Sequence, residues 1–115
     1  MGDLNKYVTK SYCIVYVLRL AEGKYYVGST DHFNNRLFQH YNNEGSLWTK
    51  KYKPMKICGV RIGNRELESQ VVIQMMAKHG IDNVRGGGYC KIDLTITDDL
   101  REKVKKAQNK ALNDY

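Results

Sequence analysis

The sequence predicts an α+β fold, a small three-stranded antiparallel sheet flanked by helices. Three observations carry this. Residues 11–20 and 24–29 are rich in β-branched and aromatic side chains and are joined by the short turn Ala21-Glu22-Gly23, which makes an antiparallel hairpin. Helical periodicity then recurs in three separate stretches. The order, β-β-α-β-α followed by an irregular segment and a last helix, suits helices packed over a small sheet.

Each element has its own warrant. Residues 11–20 are apolar at both parities, as expected of a strand covered on both faces. Thr30 or Asp31 can cap a first helix whose Phe33, Leu37 and Tyr41 form one apolar stripe. Residues 42–46 break that helix, and a polar, basic loop over 47–54 leads to a third strand over 55–62. Gly63-Asn64 turns the chain into a helix over Arg65–His79 that Gly80 closes. Residues 81–90 read as an irregular glycine-rich segment and 91–96 as extended chain. Thr97 or Asp98 then caps a last helix with Leu100, Val104, Ala107 and Ala111 on one face and Arg101, Lys103, Lys105, Lys106 and Lys110 elsewhere.

The chain of 115 residues suits one domain, with a core over 11–90 and a C-terminal strand and helix extension over 91–115. Charge narrows the partners. Nineteen Lys and Arg against 12 Asp and Glu leave a net +7, a balance that favours a polyanion but does not by itself require one. Cys13, Cys58 and Cys90 have neither zinc-ribbon nor redox-pair spacing. Cys13 and Cys58 sit in apolar runs and are expected in the core. The odd count suits a reducing compartment. Residues 1–6 lack a signal-peptide apolar region, and no stretch is apolar enough to span a membrane. The expectation is a soluble intracellular protein of cytoplasm or nucleus.

Glu68 is the most informative position. At about 100° per residue, Val71, Val72 and Met75 surround it on the apolar face of its helix, whereas Glu66 points the other way. A carboxylate facing a core needs a cation. An arginine partner is one answer, and a metal ion in a cleft is the other. On the first helix Arg36 and His40, at i and i+4, border the apolar stripe and face the sheet edge. A snorkelling arginine and a packed histidine would produce the same pattern.

These residues also match a known pattern. Ile14-Val15-Tyr16, followed by Tyr26-Val27-Gly28, resembles the two signature tripeptides of the GIY-YIG nucleases. Arg36, His40, Glu68 and Asn83 follow in the order and on the elements where that family carries its arginine, its His or Tyr, its metal-binding glutamate and its asparagine. Two departures stand beside the tyrosines. Ile14 replaces the first glycine, and Ser29 stands where some members have a lysine.

The resemblance implies a DNA endonuclease with a single Mg²⁺ (or Mn²⁺) at Glu68. Mg²⁺ keeps several waters and suits a site with few protein ligands. Arg36 would stabilise charge on phosphorus. Tyr16 is the favoured general base, with Tyr26 orienting water or phosphate, His40 assisting proton transfer and Asn83 holding the site by hydrogen bonds. The nearby metal and Arg36 would lower the tyrosine pKa. Lys50, Lys51, Lys53, Arg85 and the last helix would meet DNA phosphates, while Trp48 and Tyr52 would stack on a base or sugar. Gly86-Gly87-Gly88 reads as a flexible turn. Branched or foreign DNA, a homodimer for two-strand cutting, and a nucleic-acid-binding module without catalysis all stay open.

Overall fold

The structure is a computed structural model and describes residues 13–113. Its first strand, β1 (Ile14–Leu20), pairs antiparallel with β2 (Tyr25–Thr30), Tyr16 opposite Gly28 and Leu18 opposite Tyr26. Ser11 and Tyr12, read as the start of that strand, lie outside the described residues. Between the strands Glu22 and Gly23 both take positive φ, 62° and 71°, which reverses the chain within three residues. β3 (Pro54–Ile62) pairs antiparallel with the other side of β1. Cys58, expected in the core, is exposed on β3.

The predicted three-stranded antiparallel sheet needs one correction. It has four strands in the order β3-β1-β2-β4, and β4 (Val84–Gly86) runs parallel to β2. The parallel direction follows from the crossover through a helix. β4 is three residues long and ends in a glycine, so it falls below any periodicity signal. Residues 91–96, read as extended, form no strand.

Both faces of β1 and β2 are covered, as the apolar parity of β1 predicts, whereas β3 is largely exposed. On one face Tyr16, Leu18, Leu20 and Tyr26 pack with Trp48, Phe33 and Leu37. These last three come from α1 (Phe33–Tyr41) and from α2 (Leu47–Lys51), a short helix in a stretch expected to be loop. Ser46 caps α2, its Oγ accepting the Thr49 N–H at 3.2 Å. On the other face Val15 and Val27 pack with Val71, Val72 and Met76 of α3 (Arg65–His79) and with Leu100 and Val104 of α4 (Asp98–Asn113).

The helix ends are mostly where the sequence puts them. Asn64 caps α3 by accepting the Leu67 N–H, and Gly80 closes it at φ 98°. Thr97 caps α4 through the Leu100 N–H. α1 differs. His32 holds its N-cap position, Thr30 Oγ1 accepts the His32 N–H instead, and Tyr41 is exposed. The inward stripe of α1 is therefore Phe33, Leu37 and the buried His40.

Candidate active site

β4 pairs only with Tyr25–Val27, so the far end of β2 has no neighbouring strand on that side among the described residues. A cleft of about 540 Å³ opens there. Its walls come from both helical layers: Tyr26 and Ser29 of β2, Arg36 of α1, Arg65 and Glu68 of α3, and Gly87 and Gly88 after β4. Elements distant in sequence thus meet where the sheet stops.

Tyr16 and Tyr26 project from the same face of the sheet, with ring centroids 6.2 Å apart. Gly28 lies opposite Tyr16, and a Cβ there would overlap the Tyr16 ring and hydroxyl. The glycine of the second tripeptide is therefore a packing requirement. Ile14, in the place of the first glycine, is paired on both sides, with Thr30 and with Ile62.

Tyr16 begins a directed hydrogen-bond chain. Its hydroxyl lies 2.7 Å from His40 Nε2, and His40 Nδ1 lies 3.0 Å from Thr49 Oγ1. Thr49 Oγ1 also lies 3.1 Å from the Ser46 carbonyl and 3.2 Å from Ser46 Oγ. With its proton on that carbonyl it accepts from His40 Nδ1–H, and Nε2 then receives the Tyr16 O–H. Burial, reinforced by the Arg36 charge, lowers the His40 pKa from 6.5 to about 4, so the ring is neutral at pH 7. Gly45 makes room for this arrangement, since a Cβ there would overlap the His40 ring.

Burial pushes both phenols up. The Arg36 guanidinium lies against both and offsets only part of that rise. The protein alone therefore holds Tyr16 and Tyr26 protonated, against the expectation that the site lowers their pKa. Burial works against the Arg36 charge too, but its contacts with Tyr26 and Tyr16 outweigh this and raise its pKa, so it stays a fixed cation. It also donates to Gln39 Oε1 at 3.0 Å.

Glu68 is 8% exposed and Glu66 is on the surface, as the helix geometry requires. No Lys or Arg lies within ion-pair distance of Glu68 among the described residues. An arginine partner is therefore not what meets this carboxylate. Gly87 stands against it, an ideal Cβ there coming 3.3 Å from Glu68 Oε1, and φ at Gly87 is +54°. Among the described residues no three His, Cys, Asp or Glu side chains form a metal cage. One carboxylate at a water-accessible cleft is a donor set that fits Mg²⁺ or Mn²⁺ with mostly water ligands.

The structure brings Tyr16, Tyr26, Arg36, His40 and Glu68 together. It does not bring Asn83 to the cleft. Asn83 donates to the His79 carbonyl and accepts from Lys24 Nζ at 2.8 Å, which ties the end of α3 to the hairpin. Arg85 is a correction. It is 4% exposed, its guanidinium donates to the carbonyls of Ile81, Val84, Lys91 and Ile92, and it stacks on Trp48 at 4.6 Å. Four of its five N–H donors are taken by these carbonyls, and its burial keeps it from a phosphate. Trp48 is likewise buried, its indole N–H on the Tyr25 carbonyl, so it offers no face to a base. Lys50, Lys51 and Lys53 are exposed and none lines the cleft. Gly86-Gly87-Gly88 is a tight turn held by two hydrogen bonds between Gly86 and Tyr89, not a loose one.

Arg65 and Thr49 went unread in the sequence. Arg65 is three residues before Glu68, hence on the same side of the helix, and that spacing was a usable signal. Thr49 had none, because its contact with His40 depends on α2.

The GIY-YIG catalytic domain model matches residues 12–70, which include both tyrosines, Arg36, His40 and Glu68. No curated protein and no solved structure is significantly similar to the chain. With the match spanning half the chain and its signature residues converging on one cleft, the chain belongs to the GIY-YIG nuclease family.

Proposed function

We propose that the chain is a divalent-metal-dependent endonuclease that hydrolyses DNA phosphodiester bonds in this cleft. One observation carries the reading. Glu68 is a carboxylate without an ion-pair partner among the described residues, in a cleft it shares with Tyr26 and two arginines. A packing role would not leave it so, and nucleic-acid binding alone would not select a negative charge there.

Glu68 would hold the metal, which when bound would act as a Lewis acid at the phosphate and favour ionisation of the nearby phenols. The protein's own groups do the rest. Arg36 and Arg65 flank the position of a phosphate, and Arg36 is fixed to receive the charge that develops on phosphorus. Arg65 supplies the second cation that Ser29 does not. Tyr26 is the phenol on the cleft wall and is better placed than Tyr16 to meet the attacking water. Tyr16, buried and bonded to neutral His40, backs Arg36 and has a proton acceptor of its own in Nε2.

Supercoiled plasmid with Mg²⁺ or Mn²⁺ tests the reading. Glu68→Gln should lose at least about 100-fold in nicking rate, the range expected when a main charge-stabilising group is removed. Its stability should change by less than about 1 kcal/mol, since no ion pair is broken. Chelation should abolish cutting by the parent chain. Undiminished cutting by Glu68→Gln sinks the site, and DNA binding with no cutting under either metal favours a binding module. Linear product whose share rises with protein concentration would indicate a dimer, while nicks that accumulate first would indicate single-site action.

A further inference from the structure

The cleft does not end at Gly88. A second groove, of about 770 Å³, lies between α3 and α4, and it shares Ser69 and Gly88 with the cleft. The two adjoin at these residues, beside the turn after β4. Lys103, Lys106 and Lys110 of α4 line its outer wall, Gln70 and Gln74 of α3 its inner wall, and Tyr89 its entrance. No carboxylate lines it.

The opposite side of α4 is different. The hollow there mixes Arg101 and Lys105 with Asp98 and Glu102, and Lys106 lines both hollows. At about 100° per residue the three groove lysines fall within about 60° of one another, beside the stripe of Leu100 and Val104, whereas Arg101 and Lys105 fall about 100–180° from them. The lysines thus form a row along the groove. Lys103 to Lys110 spans about 10 Å at 1.5 Å per residue, which is about three base steps of 3.4 Å measured along the duplex axis. Lys103 and Lys106 pair with Asp99 and Glu102 at 3.1 and 3.7 Å, but all four side chains are mostly exposed. Such pairs hold too weakly to resist a polyanion.

We propose that this groove is a phosphate track for the DNA strand on one side of the scissile bond. The proposal rests on the nuclease reading for its direction and gives α4, which lies outside the family match, a substrate-binding role. A strand leaving the cleft over Gly88 enters the groove and meets Lys103, Lys106 and Lys110 in turn. Specificity for DNA length follows, because a substrate of two or three nucleotides cannot reach the track.

Charge-matched double variants test it. Lys106→Gln with Lys110→Gln removes two groove charges, and Arg101→Gln with Lys105→Gln removes two from the opposite side. Binding to a 20-base-pair duplex is measured by anisotropy from 50 to 300 mM salt with chelator present, and cleavage is measured on long and trinucleotide substrates. The groove variant should lower the salt slope by about two, at about 0.9 per phosphate contact. It should raise KM on long DNA at least fivefold with kcat within twofold, and leave the trinucleotide unchanged. The control variant should do none of this. Equal shifts in both variants, or an unchanged slope in the groove variant, overturn the track, the second result assigning the groove to a protein partner. Cleavage separates the two readings: a parent chain that never cuts, with the slope difference intact, overturns the nuclease and not the track.

Discussion

At the scale of single residues the site depends on which atoms hold protons. With its proton on the Ser46 carbonyl, Thr49 accepts from His40 Nδ1 and so favours one His40 tautomer. Thr49→Val would strand the His40 Nδ1–H in a buried position, at about 1–3 kcal/mol. It should lower kcat and change the pH–rate profile, and Thr49→Ser should restore both. A loss in Thr49→Ser equal to that in Thr49→Val would mean that shape, not the hydroxyl, is what counts. His40 also couples stability to pH. Its folded pKa of about 4 lies below the ordinary 6.5, so unfolding takes up a proton between those values. The contribution is complete above 6.5, is lost as pH falls toward 4, and amounts to about 3 kcal/mol at most. Denaturant midpoints from pH 7.5 to 4 should fall more steeply for the parent chain than for His40→Gln, and parallel curves would refute the assignment.

At the scale of elements, the residues that were legible in the sequence are those whose role is set within one element. Glu68 was found from helix geometry, and α3 has the predicted ends because Asn64 and Gly80 mark them. Tyr16 and Tyr26 were picked out by the resemblance of their tripeptides to the family signature, and the hairpin register places both on one face. What the sequence concealed depends on contacts between elements. Three-residue β4 is held by its pairing with β2 and by Arg85, which gathers the carbonyls of Ile81, Val84, Lys91 and Ile92 against Trp48. From sequence, an arginine beside glycines in a basic chain looks like a phosphate contact, and only burial shows otherwise. Arg85→Gln would leave several of those carbonyls unsatisfied. It should destabilise the fold by about 2–4 kcal/mol and leave the salt slope of DNA binding unaltered. A reduced slope at full stability would return Arg85 to the DNA surface.

At the scale of the whole molecule, the matched segment and the folding unit are not the same. The match ends at Gln70, yet Val71, Val72, Met76, Val84, Leu100 and Val104 supply most of the core on one face of the sheet, Val15 and Val27 being its buried partners from the matched part among the described residues. That core supports α3 from below, and α3 carries Arg65 and Glu68. α4 therefore acts on the site twice, by packing through Leu100 and Val104 and by charge through the lysine row beside them. Leu100→Ala, at a side chain 1% exposed, should cost about 2–5 kcal/mol. At about 4–8 °C per kcal/mol for a domain near 100 residues, the melting temperature should drop by about 10 °C or more. Cleavage should fall with the folded fraction and return at low temperature, where the variant refolds, with KM unchanged. A Leu100→Ala protein that melts like the parent would show that α4 is an appendage. One that keeps its melting temperature but loses KM would shift the role of this helix from packing to substrate binding alone.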